Sequence, residues 1–236
     1  MNLHRIAGLT IDLGYKHQRM ITQAAPYKYD GEPKKPDMTL HLSDAFLEEK
    51  SKETGFSLDD CEYIYTGVAF NSGIIHFGGF MLHSSAIVLD GYAYLFSAFS
   101  GTGKSTHTEL WLEVFGNERA RILNDDKPVI RIGKNGIFAC GTPWSGKNDA
   151  SSVENVPLAG ICFLERSETN WIKQVPGKDV VTDLMQQTVL PDRQMEMGLV
   201  LSHVDKVLTD IPVYRMGCNI SKEAALMAYE AMRPKE

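Results

Sequence analysis

The sequence predicts an α/β protein built on a mixed, partly antiparallel sheet with flanking helices. Three observations carry that expectation. Ile87-Val88-Leu89 and Tyr92-Ala93-Tyr94-Leu95-Phe96 flank Asp90-Gly91, a dipeptide suited to the positive φ angles of a two-residue hairpin turn. The second arm runs into a glycine-rich loop and then into a segment with Leu110, Trp111, Val114 and Phe115 at helical spacing. Beyond it, strand and helix signals alternate to the C-terminus.

Taken in order, residues 31–37 (Gly-Glu-Pro-Lys-Lys-Pro-Asp) have turn chemistry, and Met38–Leu42 alternates as an edge strand does. Asp44–Lys50 reads as a surface helix, whereas Tyr63–Phe70 is aromatic and β-branched, and Gly78-Gly79 breaks the apolar run of residues 74–82. Residues 1–75 are therefore expected as a β-rich extension, separate from or packed onto a core formed by residues 76–236. In that core, Thr106–Phe115 is a helix that stops at Gly116, and Ala120–Leu123 is a short strand ending in Asn124-Asp125-Asp126. Residues 129–132 and 137–140 form a second hairpin around Gly133-Lys134-Asn135-Gly136. Pro157–Leu164 is a buried strand with Trp171–Val175 as its expected partner. Residues 178–190 and 194–208 are helices parted by Pro191, Ile211–Met216 is a strand, and Ser221 caps a last helix that ends at Met232.

Composition excludes several classes. With 236 residues, 43% of them hydrophobic, the chain can bury a core without disulfides or metals. A net charge of −6 gives the whole chain no general attraction to nucleic acid or to an anionic membrane. Cys61, Cys140, Cys162 and Cys218 form no C-x-x-C pair and are expected as reduced thiols packed like small apolar side chains. The first 13 residues lack the apolar run of a signal peptide, and residues 156–164 fall short of the ~20 that a membrane span requires. A cytoplasmic protein is expected.

The chemistry concentrates in residues 98–105, Ala-Phe-Ser-Gly-Thr-Gly-Lys-Ser. This meets the phosphate-loop pattern G-x-x-x-x-G-K-[ST] except at its first position, where Ala98 replaces glycine. A loop between a strand and a helix turns backbone N–H groups toward an anion, and glycine lets the backbone approach phosphate oxygens. Ser100, Gly101, Thr102, Gly103, Lys104, Ser105 and Thr106 are the nucleotide-binding candidates, with Lys104 on the β- and γ-phosphates and Ser105 on Mg²⁺. Asp125 follows Lys104 by 21 residues, enough for a helix and a returning strand to bring Asp125 and Asp126 back beside the loop. One carboxylate suffices to hold Mg²⁺; the other is free to accept the proton of an attacking hydroxyl. Either assignment of the two roles is open. Trp144 and Lys147, in the loop Gly141–Lys147, are candidate substrate or phosphate contacts. The antiparallel hairpin ahead of the loop distinguishes the chain from common phosphate-loop NTPases, whose loop strand lies in a mainly parallel sheet.

Residues 96–130, from Phe-Ser-Ala-Phe-Ser-Gly-Thr-Gly-Lys-Ser-Thr through Leu-Asn-Asp-Asp-Lys-Pro-Val-Ile, resemble the catalytic core of HPr kinase/phosphorylase and, more distantly, of phosphoenolpyruvate carboxykinase. The resemblance to small bacterial HPr-kinase-like proteins extends from about Phe77 to the C-terminus. It implies a phosphoenolpyruvate-carboxykinase-like fold, ATP and Mg²⁺ as cofactors, and catalytic roles for Lys104, Asp125, Asp126 and His83, the last matching by position a histidine close to the reacting phosphate. The glycine-rich signature that follows the acid pair in HPr kinase is not recognisable here. The resemblance also brings in a homo-oligomer as an expectation.

The function expected is an ATP- and Mg²⁺-dependent kinase acting on a hydroxyl of a protein, a peptide or a small molecule. Two alternatives keep the same pocket: a nucleotide-sensing module that partners another protein with little turnover, and a phosphorylase running the transfer in reverse.

Overall fold

The structure, a computed structural model, describes residues 1–32, 34–146, 149–191 and 193–234. Strands β1 (Leu3–Ile6) and β2 (Leu9–Leu13) form a hairpin, helix α1 (Gln18–Ala24) follows, and β3 (Met38–Leu40) joins β2 in parallel. Helices α2 (Asp44–Thr54) and α3 (Leu58–Ile74) complete this part. Ser43 Oγ accepts from the Phe46 N–H to cap α2, which ends at Gly55 with φ 74°. Ser57 caps α3 by accepting from the Asp60 N–H, and Asp59 and Asp60 place negative charge at the positive end of its dipole.

The expectation of a β-rich extension is thus corrected, because α2 and α3 occupy most of residues 44–74. Tyr63–Phe70 has strand propensity, yet its buried members Tyr63, Thr66, Gly67 and Phe70 recur every three to four residues and continue to Ile74. Burial of that face together with the Ser57 cap outweighs a local β preference that is context-dependent.

The remaining elements are β4 (Gly79–Met81), β5 (Ser84–Leu89), β6 (Tyr92–Ser97), α4 (Lys104–Phe115), β7 (Ala120–Asn124), β8 (Val129–Gly133), β9 (Gly136–Cys140), β10 (Asn155–Arg166), β11 (Trp171–Val175), α5 (Val181–Gln186), α6 (Gln194–Asp210), β12 (Val213–Cys218) and α7 (Lys222–Met232). The strands run in the order β4-β8-β9-β10-β6-β5-β7, with β12 added to β10 and β11 to β12. This is the mixed α/β sheet with flanking helices that the sequence predicts. The β5–β6 hairpin turns at Asp90 and Gly91 with φ of 51° and 84°, as the dipeptide requires.

Strand β10 is long because it serves two regions: residues 155–157 pair antiparallel with β9, and residues 158–166 pair in parallel with β6 and β12. Strand β11 pairs with β12 rather than with β10, a second correction. The helix expected over residues 178–190 is also shorter. A 3₁₀ turn precedes α5, and Thr188 bridges Leu82 instead of extending the helix.

Alternation along β6 and β10 sends Leu95 and Ile161 to one face, against Val200, Val204 and Val207 of α6, and Phe96 and Cys162 to the other, against Trp111 and Ala228. A third cluster joins Phe70 and Ile74 of α3 to Met81, Val129, Cys140 and Trp144, so the N-terminal elements pack onto β4, β8 and β9. The four cysteines are free thiols, three of them buried. Among the described residues no helix is long and apolar enough to cross a membrane.

Candidate functional site

Strands β6, β10 and β12 are mutually parallel, so their C-terminal ends share one edge, where α/β sheets place ligands. The loop of residues 98–103 leaves β6 there, and α4 starts at Lys104. Gly101 and Gly103 have φ of 79° and 120°, conformations that L side chains rarely adopt, and the space that a Cβ would enter is open at both. The first N–H groups of α4 have no acceptor within the helix, so the loop and the helix start together offer the geometry of an anion cradle. Ser100 and Gly101 are exposed, while Thr102, Gly103, Ser105 and Thr106 are half-buried. Arg166, at the end of β10, donates to the carbonyls of Gly101 and Thr102 and braces the loop.

Lys104 lies beneath this cradle. Its side chain is buried, and Nζ donates to the Ala98 carbonyl at 3.0 Å. Burial pushes its pKa down, while Asp126 and Asp125 pull it back up. An ammonium held in this way gains from a phosphate that supplies further negative charge.

The acid pair follows β7. Asn124 Oδ1 accepts from the Asp126 and Lys127 N–H groups at 3.0 and 2.7 Å, so the asparagine forms the turn and the aspartates need not. Asp125 accepts from Ser85 Oγ at 2.7 Å; the same oxygen is 2.7 Å from Thr108 Oγ1, whose single proton is shared between Ser85 Oγ and the Ser105 carbonyl at 2.9 Å. Asp125 is therefore linked to the helix that carries Ser105. Asp126 Oδ1 is 3.3 Å from His83 Nε2, and its other oxygen is 3.4 Å from Lys127 Nζ. Burial tends to raise the Asp126 pKa, but the hydrogen bond from His83 and the charge of Lys127 leave it below the usual carboxylate range. His83 is held from behind as well, with Nδ1 3.0 Å from Gln187 Oε1.

The structure corrects one site expectation. Trp144 is only 1% exposed and stacks on Phe70 at 4.8 Å, with Nε1 donating to Thr66 Oγ1. Its flat surface is spent on the interior and is not offered to a substrate. Lys147 lies outside the described residues. The loop that contains Trp144 still reaches the acid pair: Gly146 has φ 78°, and a Cβ there would lie 2.9 Å from Asp126 Cβ. Tyr63 Oη accepts from the Gly146 N–H and Arg19 donates to its carbonyl, so residues from α1 and α3 steady the backbone beside Asp126.

Sequence reasoning missed Ser85, Thr108, Gln187, Tyr63 and Arg19, whose partners are remote in the chain. Asn124 was adjacent to a recognised motif, and its turn-forming chemistry was a usable signal.

A cavity of about 500 Å³ borders the cradle, lined by Gly101, Thr106, His107, Arg166, Cys218 and Ile220 among others. A larger one, about 640 Å³, lies by Asp90, Tyr92 and Tyr229 and has none of the loop residues in its lining. Among the described residues there is no cluster of three or more His, Cys, Asp or Glu that could hold a metal by itself. The donor set present, one hydroxyl and one or two carboxylates beside an anion cradle, fits Mg²⁺, which takes most of its ligands from phosphate and water.

Comparison with known proteins is sparse. No protein-family profile and no curated protein matches the chain. Among solved structures, it is similar to the Hpr(Ser) kinase/phosphatase from Coxiella burnetii, with 11% identity and a TM-score of 0.38, over 64% of this chain and 95% of that one. At that level the likeness assigns no activity, and the chemistry rests on the geometry of this chain.

Proposed function

We propose that this protein binds ATP with Mg²⁺ and transfers the γ-phosphoryl group to a hydroxyl. The observation that carries the reading is Lys104, a buried ammonium under an open two-glycine cradle, with both carboxylates of the acid pair acting on it. The phosphates would lie in the cradle, with Lys104 on the β- and γ-phosphates, and the nucleoside would extend into the 500 Å³ cavity beyond Gly101 and Thr106. ATP as the nucleotide follows the resemblance of the loop and acid pair to HPr kinase.

The two aspartates divide the work. Asp125, tied through Ser85 and Thr108 to the helix of Ser105, would hold Mg²⁺ together with the Ser105 hydroxyl. When bound, the metal neutralises charge on the phosphates. Asp126, anchored by His83, takes the proton of the acceptor hydroxyl as its oxygen bonds to the γ-phosphorus. The bond from that phosphorus to the β–γ bridging oxygen breaks, and ADP leaves with the electron pair.

Labelled ATP, Mg²⁺ and a panel of hydroxyl acceptors, including serine peptides and small alcohols, test this in the parent, Asp125→Asn and Asp126→Asn. Transfer should fall by about 100-fold or more in Asp126→Asn, the scale of a lost general base, and Asp125→Asn should raise the Mg²⁺ requirement. Transfer undiminished in both variants would sink the reading. Tight ATP binding by a parent that transfers nothing would favour a nucleotide sensor, and pyrophosphate release from a phosphorylated acceptor and phosphate would favour the reverse reaction.

A further inference from the structure

We infer that Gln187 is a positioning residue that holds the His83 ring in register with Asp126, and that it belongs to the phosphotransfer apparatus although it lies 104 residues from His83 in the chain. The inference rests on the phosphotransfer reading for its functional half and on geometry alone for its structural half.

His83 immediately precedes β5, and a single residue grips it at two points. The His83 N–H donates to the Gln187 carbonyl at 2.7 Å, and ring Nδ1 is 3.0 Å from Gln187 Oε1. An amide oxygen can only accept, so this contact uses a proton on Nδ1, just as the contact to the Asp126 carboxylate uses one on Nε2. The opposite nitrogen, Nε2, then faces Asp126 Oδ1 at 3.3 Å. The imidazole is thereby clamped on its far side while its near side meets the carboxylate proposed as the base. A ring free to rotate about its χ angles would present Nδ1 or carbon to Asp126 for part of the time.

The clamp is itself fixed. Gln187 is mostly buried and closes α5, with its N–H donating to the Asp183 and Leu184 carbonyls. Asp183 pairs with Arg215 of β12, and the Thr188–Leu82 bridge ties the following residue to the chain just before His83. The early end of α5 thus has a use: residue 187 leaves the helix where it can meet His83. Ser97 Oγ donates to the His83 carbonyl at 2.9 Å, so the last residue of β6, from which the phosphate loop departs, fixes the same residue from another side.

Gln187 also lines a cavity of about 210 Å³ with Ala98, Phe99, Glu165, Gln186 and Arg215. Of these lining residues, Gln187 bonds the His83 ring, and Ala98 carries the carbonyl that receives Lys104 Nζ. Gln187 does not touch the reacting atoms in this arrangement; it acts through the histidine.

The test compares the parent with Gln187→Leu, which removes the acceptor, and Gln187→Glu, which keeps one at the same length. Ring ¹⁵N shifts of His83, assigned by their disappearance in His83→Gln, report the position of the ring proton without any turnover. The Mg²⁺-dependent release of phosphate from ATP reports kcat and KM without knowledge of the acceptor. In Gln187→Leu the His83 Nδ1 shift should move away from its parent value as the ring loses its acceptor, and kcat should fall about tenfold, the scale on which partners that orient a functional histidine act. KM for ATP should stay within about twofold, since the cradle is untouched. Gln187→Glu should restore the parent shifts and most of kcat. The positioning role is overturned if the His83 shifts in Gln187→Leu equal those of the parent, or if Gln187→Glu loses as much kcat as Gln187→Leu. If the parent neither releases phosphate from ATP nor transfers it to any acceptor of the panel above, the phosphotransfer reading fails, and the shifts alone decide whether Gln187 positions the ring.

Discussion

Ser85 Oγ donates to Asp125 Oδ1 at 2.7 Å from the middle strand of the β6-β5-β7 group, and the same oxygen meets Thr108 of the phosphate-loop helix. One hydroxyl thus ties the first acid of the pair to the helix that carries Lys104 and Ser105. Ser85→Ala deletes both contacts and leaves the buried Thr108 hydroxyl with its backbone acceptors alone. We expect a stability loss of about 1–2 kcal/mol by urea unfolding and a raised Mg²⁺ requirement for phosphate release from ATP. Parent-like Mg²⁺ titration would separate Asp125 from the metal.

Lys104→Met should move binding and stability in opposite directions. ATP affinity, measured by calorimetry with Mg²⁺, should fall by about 10–100-fold, the worth of a charge-assisted contact to phosphate. Thermal stability without nucleotide should hold or rise, because burial disfavours the ammonium that the substitution removes. A variant that melts early and binds ATP normally would assign Lys104 to the fold instead.

Gly146→Ala introduces a Cβ at φ 78° and at 2.9 Å from Asp126 Cβ. Strain at such a position costs on the order of 1–3 kcal/mol, and the collision bears on the carboxylate itself. Phosphotransfer should fall more than the melting temperature alone would explain, with ATP affinity retained. Unaltered transfer would show that Asp126 tolerates displacement of this loop.

His107 supplies a pH prediction. Burial pushes its ring down to about 4 from 6.5, and its Nε2 accepts from the Trp111 indole N–H. The native ring stays neutral where the unfolded ring takes up a proton, so stability is complete above about pH 6.5 and drains away as pH falls toward 4, by about 1.4 kcal/mol per unit. Urea unfolding of the parent at pH 7 and pH 5 should therefore show a loss about 2 kcal/mol greater than the same comparison in His107→Gln. Equal losses would exclude His107 as the responsive group.

The parts of this site that were legible in the sequence are those whose chemistry is written in contiguous residues. The Asp90-Gly91 turn, the loop around Lys104 and the Asp125-Asp126 pair each declare themselves through backbone requirements or short spacing, and each lies on the strand, loop or strand end expected of it. Residues 44–74 misled because aromatic and β-branched side chains also suit a helix that buries one face against β4, β8 and β9. Trp144 misled because a tryptophan in a Gly-Pro loop looks available until Phe70 closes over it.

The class of sheet and the positions of the glycine loop, its lysine and the two acids at strand ends were legible in the sequence alone, since backbone conformation and motif spacing are local properties. How those two acids differ follows from long-range packing. Asp125 belongs to the Ser85–Thr108 chain and Asp126 to the His83–Gln187 chain because strands β5 and β7 pair and the end of α5 returns to Leu82. Such partners are chosen by packing across the sheet, which no spacing along the chain records.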